Sequence, residues 1–124
     1  MSVDVHVLFQ SDASLEGTID ALQRLLHVQF KRIVDDDLIR YEFIGPGFML
    51  AAFGDADFES TVDGHHLADY PFAIDCWATE PHLDYEAAES IRMGISRFIF
   101  RKVVGAGHRA LLVYDLQRVV EASS

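Results

Sequence analysis

From Tyr41 to Ile91 the chain has no lysine or arginine, yet it carries eleven acids: Glu42, Asp55, Asp57, Glu59, Asp63, Asp69, Asp75, Glu80, Asp84, Glu86 and Glu89. All the basic residues lie outside it, at 24–40 and from Arg92 onward. A one-signed stretch must leave much of its charge in water, which marks the solvated side of whatever it folds into. Its summed field attracts cations or a basic partner.

The rest of the composition bounds the class. At 124 residues the chain is long enough for one domain, 1–124, with a core that needs no staples. Half of it is apolar and 24% charged, as in globular domains, so a folded chain is expected. Cys76 is the one cysteine, which excludes an internal disulfide and fits a reducing compartment. The opening Met1-Ser-Val-Asp-Val-His6 has neither a basic nor an apolar leader segment, and no apolar run approaches a membrane span; a cytoplasmic location is expected. A net charge of −10 argues against nucleic acid and anionic membranes as partners, because phosphate contacts need clustered Lys and Arg.

Taken in order, Val3, Val5, Val7 and Phe9 alternate with Asp4, His6, Leu8 and Gln10, the period of a strand with one buried face. Polar residues from Gln10 to Ser14 precede Leu15, Ile19, Leu22 and Leu26, whose spacing predicts a helix over 14–28. Ile33-Val34 is a short apolar piece, and Asp35-Asp36-Asp37 a solvated turn. Leu38 to Ile44 and Phe48 to Phe53 read as strands joined at Gly45-Pro46-Gly47, the strongest turn signal in the chain.

A polar connection fills 54–71; connections that long are uncommon in compact domains and often functional. Part of it is expected to continue the preceding strand, with Asp55, Asp57 and Glu59 outward and Ala56 and Phe58 inward. Phe72 to Ala78 is a further strand, with Phe72, Ile74, Cys76 and Ala78 on one face and Ala73, Asp75 and Trp77 on the other. A helix over 84–104 follows, acidic first and basic last as its dipole favours, with Ala88, Ile91, Ile95, Phe98 and Ile99 as the expected inward stripe. Gly105-Ala-Gly107 ends it. Arg109 to Tyr114 reads as a closing strand, and Asp115 as the cap of a short C-terminal helix through Val120.

The order β-α-β(β)β-β-α-β predicts an α+β fold: two layers, a mainly antiparallel sheet of 5–6 strands, and two helices on one face. A helical crossover would make the 72–78 and 109–114 strands parallel if they share a sheet, so a mixed sheet is allowed for.

No strong catalytic motif is present. Asp63, His65, His66 and Asp69 form the best metal-ligand set, since imidazole and carboxylate suit zinc and similar ions. Adjacent histidines do not readily converge in an extended chain, however, and there is no spaced pair of the H-x-x-x-H kind, so a solvated loop is the favoured reading. Asp55, Asp57 and Glu59 resemble the start of a calcium loop, but Ser60 stands where the glycine belongs and His66 where the glutamate belongs. Cys76 would need His66 or His82 beside it to act as a nucleophile; its apolar strand neighbours predict a buried, inert thiol. No cofactor is called for. Asp75 and Trp77 share a strand face, which Asp4 and His6 would join if the first strand is a neighbour, and a tryptophan beside acids is the make-up of an interface anchor. The competing reading packs Trp77 under the 54–71 connection.

Two segments, Tyr70-Pro-Phe-Ala-Ile-Asp-Cys-Trp77 and Arg109-Ala-Leu-Leu-Val-Tyr-Asp-Leu-Gln-Arg118, resemble the strand before the long helix and the closing strand in cytoplasmic immunity proteins of bacterial polymorphic and contact-delivered toxins. The resemblance implies a non-enzymatic protein that acts by binding. A basic, nuclease-type toxin is a fitting partner for an acidic chain, which would also speed encounter by steering. On that expectation Asp55, Asp57, Glu59, Asp63, Asp69 and Asp75 meet the partner's Lys and Arg, with Trp77 or Phe58 as anchor. Two alternatives stand beside it: a small metal-dependent hydrolase or metal-binding protein built on the 63–69 cluster, and a homo-oligomeric structural module that hides the second face of the 84–104 helix.

Overall fold

A computed structural model describes residues 4–56 and 58–123, so Val3 and Asp57 lie outside the described residues. Among these, the elements run β1 (Val5–Phe9), α1 (Leu15–Leu26), β2 (Lys31–Asp35), β3 (Leu38–Gly45), β4 (Phe48–Phe53), β5 (Thr61–Val62), β6 (His65–His66), β7 (Phe72–Ala78), α2 (Tyr85–Gly105), β8 (Ala110–Tyr114) and β9 (Arg118–Ala122). The fold is α+β. Seven strands form one sheet in the order β2-β3-β4-β7-β1-β8-β9, and β5-β6 is a separate two-stranded ribbon.

Every pairing in the large sheet is antiparallel. β7 and β8 share the sheet and run the same way, as the helical crossover leads one to expect, but they are not neighbours, so the sheet is not mixed. β1 is inserted between them and pairs with both, through His6 opposite Asp75 on one side and Val113 on the other. This central place explains why both faces of β1 are buried, against the one buried face its alternation predicts.

Local chemistry sets the turns. The β2–β3 hairpin closes on Asp36 and Asp37, both at positive φ (46° and 68°), a two-residue turn that aspartate tolerates. Gly47, at φ 84°, follows Pro46 between β3 and β4, the arrangement a type II turn asks for. The C-terminal helix expected from Asp115 does not form. Asp115 and Leu116 both take φ 54°, Gln117 N–H donates to the Tyr114 carbonyl, and the chain turns back as β9. The apolar pair Val119-Val120 suits a strand as well as a helix, and β8 offers an open edge to complete.

Both helices lie on one face. Ser14 caps α1, its hydroxyl accepting from Gly17 N–H, and Asp84 caps α2, its carboxylate accepting from Ala87 N–H at 2.8 Å. Ile19 and Leu22 of α1 and Ile99, Phe100 and Val103 of α2 pack on Val5, Val7, Phe9, Leu50, Ile74 and Leu112 of the sheet. Each such side chain, fully buried, contributes roughly 1.5–3 kcal/mol.

The inward stripe of α2 differs from the expected one. Its buried residues are Arg92, Ser96, Ile99, Phe100 and Val103, while Ile91 and Phe98 face out, 36% and 54% exposed. Two polar residues occupy inward positions, so apolar spacing alone assigned the wrong face.

Candidate functional site

The opposite face of the sheet is where the acidic stretch lies. Gly54 ends β4, and Asp55, at φ 53°, turns the chain back over the sheet instead of continuing the strand. Ala56 N–H then donates to the Pro71 carbonyl at 2.8 Å, which closes the base of the 54–71 segment. Within it Val62 pairs with His65 across an Asp63-Gly64 corner, with φ 49° and 81°. Asp-Gly between residues that can pair is a strong hairpin signal, and it marks order inside a connection that composition alone presents as loop.

The segment is tied down on both flanks. Asp63 Oδ2 accepts from Val119 N–H of the edge strand at 2.7 Å, and Gln10 Nε2 donates to the Asp69 carbonyl at 3.0 Å. Ala56, Val62, Leu67 and Tyr70 are buried against Leu8, Ala73, Leu111 and Val113, and Phe58 packs on the same cluster. Asp55, Glu59 and Asp69 point to solvent, and Asp63 is exposed while one of its oxygens is held by Val119 N–H. The period is thus resolved inside the loop: apolar residues toward the sheet, carboxylates away from it.

Phe58 and Asp75 do different work from the exposed acids. The Phe58 ring lies 5.0 Å from the His6 ring, and His6 Nδ1 lies 2.5 Å from Asp75 Oδ1. His6 is 5% exposed. Asp75 therefore shares its face with His6, as expected, but that part of the face is roofed by Phe58.

Beyond the roof the sheet is open. Trp77 of β7 stands opposite Met49 of β4, and Met49 opposite Ile44 of β3. The three make an apolar row across neighbouring strands, one side-chain step along β7 from Asp75. Trp77 and Met49 are half-buried, Ile44 is 74% exposed, and none belongs to the cluster beneath the 54–71 segment. Trp77 accordingly does not pack under that segment. Ile44 and Met49 were not singled out by sequence; their alternation with the core residues Phe43 and Leu50 carries the signal once the strand register is known.

No protein-family model, curated protein or solved structure matches this chain.

The remaining candidate groups are held apart. Among the described residues no three His, Cys, Asp or Glu side chains are grouped so as to hold a metal ion. His65 and His66 are successive residues of an extended strand, so they project to opposite sides. Asp63 is turned to Val119, and Asp69 lies 3.5 Å from His66 Nδ1. Cys76 is 1% exposed in the core on the helix side, and burial pushes its thiol up to about 12. The sheet separates it from His6 and from the 54–71 segment. Three of the C-terminal arginines pair with acids outside this segment: Arg92 with Glu89, and Arg97 and Arg101 with Glu121. Among the described residues no helix is long and apolar enough to cross a membrane.

Proposed function

We propose that this chain is a non-enzymatic, acidic protein-binding domain of the immunity type, which neutralises a basic, nuclease-type toxin in the bacterial cytoplasm by docking on it. One observation carries the reading. On the face opposite the helices, a segment held by hydrogen bonds at its base and flanks presents Asp55, Glu59 and Asp69 outward, with Asp63 exposed at its tie to Val119, on the same side of the sheet as the open row Ile44, Met49 and Trp77. Carboxylates fixed on such a scaffold lose little freedom on binding. An aromatic and aliphatic row has the make-up of an energetic centre, and carboxylates displayed elsewhere on the same face supply a field that steers a basic partner.

The reading is tested by asking whether a basic toxin domain is encoded beside this gene and measuring binding to it at rising salt; a neighbourhood without one counts against the reading. Replacing Asp55, Glu59, Asp63 and Asp69 by Asn should slow association and flatten the salt dependence, because rim charges act mainly on encounter. Trp77→Ala should raise the dissociation rate. Binding indifferent to both changes would remove the docking face.

A further inference from the structure

The outward face of α2 carries apolar side chains that none of the described residues buries. Ile91, Gly94 and Phe98 lie on it in succession, beside a groove of about 450 Å3 lined by Gly94, Arg97, Phe98, Arg101 and Lys102. Gly94 is a mid-helix glycine, and a Cβ there would meet nothing within 4 Å. Glycine at such a position costs about 1 kcal/mol against alanine. Among the described residues, no neighbour makes the missing side chain necessary. The inward face, meanwhile, spends two positions on Arg92 and Ser96.

We infer that α2 pairs antiparallel with α2 of a second copy of this chain, the two helices crossing at Gly94. The charge order of the helix selects this occupant. Its first part carries Asp84 and Glu86, and its last part Arg97, Arg101 and Lys102, in a chain whose net charge is −10. A two-fold axis between Gly94 and Ile95 sets Ile91 opposite Phe98 of the second copy, and the reverse. It brings Glu86 toward Arg101 of the second copy on one flank and Asp84 toward Lys102 of the second copy on the other. A two-fold interface must be self-complementary in this manner. A parallel pairing would instead set acid on acid and base on base. The absent Cβ of Gly94 lets the backbones approach at the crossing, where ridges of one helix seat in grooves of the other. This face is on the far side of the sheet from the 54–71 segment, so the pairing leaves the proposed docking face free.

Sedimentation equilibrium of the full chain over a wide concentration range tests it. The wild type should be a reversible dimer. Glu86→Arg and Arg101→Glu, each alone, place like charges across both symmetric contacts and should weaken association about tenfold or more, which is about 1.4 kcal/mol. Mixing the two variants should restore a dimer, now a heterodimer with both contacts of opposite sign. Circular dichroism of each variant checks that it is folded. Because Arg101 also contacts Glu121 at 3.6 Å within the chain, recovery on mixing separates the interface from that local pair. A wild type that stays monomeric, variants that associate as the wild type does, or a mixture that fails to recover would each overturn the pairing. None of these outcomes touches toxin binding, which is read from the other face.

Discussion

His6 and Asp75 meet across the β1–β7 pair, Nδ1 to Oδ1 at 2.5 Å, beneath the ring of Phe58. This contact joins the sheet to the segment that covers it. A polar pair removed from water is costly to break, because the surviving partner keeps its desolvation without its bond. Replacing either residue by alanine should lower stability by about 2 kcal/mol, as for a hydrogen bond to a charged group. The double replacement should cost clearly less than the sum of the two. Urea unfolding of all four proteins reads this directly; additive losses would mean the two side chains do not depend on each other.

Asp63 works at two levels. Its backbone forms the Asp63-Gly64 corner, and its carboxylate accepts from Val119 N–H at 2.7 Å, fastening the β5–β6 ribbon to the edge strand β9. Asn at this position keeps the left-handed preference and an acceptor oxygen; alanine keeps neither. Asp63→Ala should therefore cost about 1–2 kcal/mol and speed hydrogen exchange at the Val119 amide. Asp63→Asn should cost less and leave that amide protected. Equal exchange at Val119 in both variants would mean the carboxylate is not the fastener.

Cys76 gives a prediction with a definite sign in pH. Burial raises its thiol to about 12, well above the ordinary value near 8.5. Between these two values the unfolded chain has given up a proton that the folded chain keeps, so this group's contribution to stability falls as pH rises through that window. Below about pH 8.5 it makes no pH-dependent difference. The native thiol should resist an aromatic disulfide reagent at pH 8 and react fully once the chain is unfolded. Cys76→Ala should lose stability less steeply above pH 9 than the wild type. A native thiol that reacts at the rate of free cysteine would place it outside the core.

The limits of the sequence show at particular residues. The strands at 38–44, 48–53 and 72–78 and both helix starts were legible because alternation, Pro-Gly corners and the caps Ser14 and Asp84 are local signals. The inward face of α2 was not, since Arg92 and Ser96 stand where the pattern calls for apolar residues. β9 was missed because nothing near Asp115 reveals the free edge of β8, which is a long-range fact. The acids of the 54–71 stretch were legible as a charge pattern, but their division was not. Only the fold shows that Asp75 is engaged by His6 while Asp55, Glu59 and Asp69 stay in water, and that Ile44 and Met49 align with Trp77 across three strands.

Gly94 separates the stability of one chain from the association of two. Alanine at this position has open space around it, so within the monomer the only change is in helix propensity, worth up to about 1 kcal/mol in favour of the variant. At a helix crossing the same methyl group holds the backbones apart and weakens packing on both sides of the axis. Gly94→Ala should therefore raise the urea midpoint at high dilution while weakening self-association by about tenfold, or roughly 1.4 kcal/mol. The two effects have opposite signs and arise from one methyl group, so a general change in fold quality would not produce both. If Gly94→Ala stabilises the chain and associates as tightly as the wild type, the helices do not cross at this residue, and its glycine has no role in bringing two copies together.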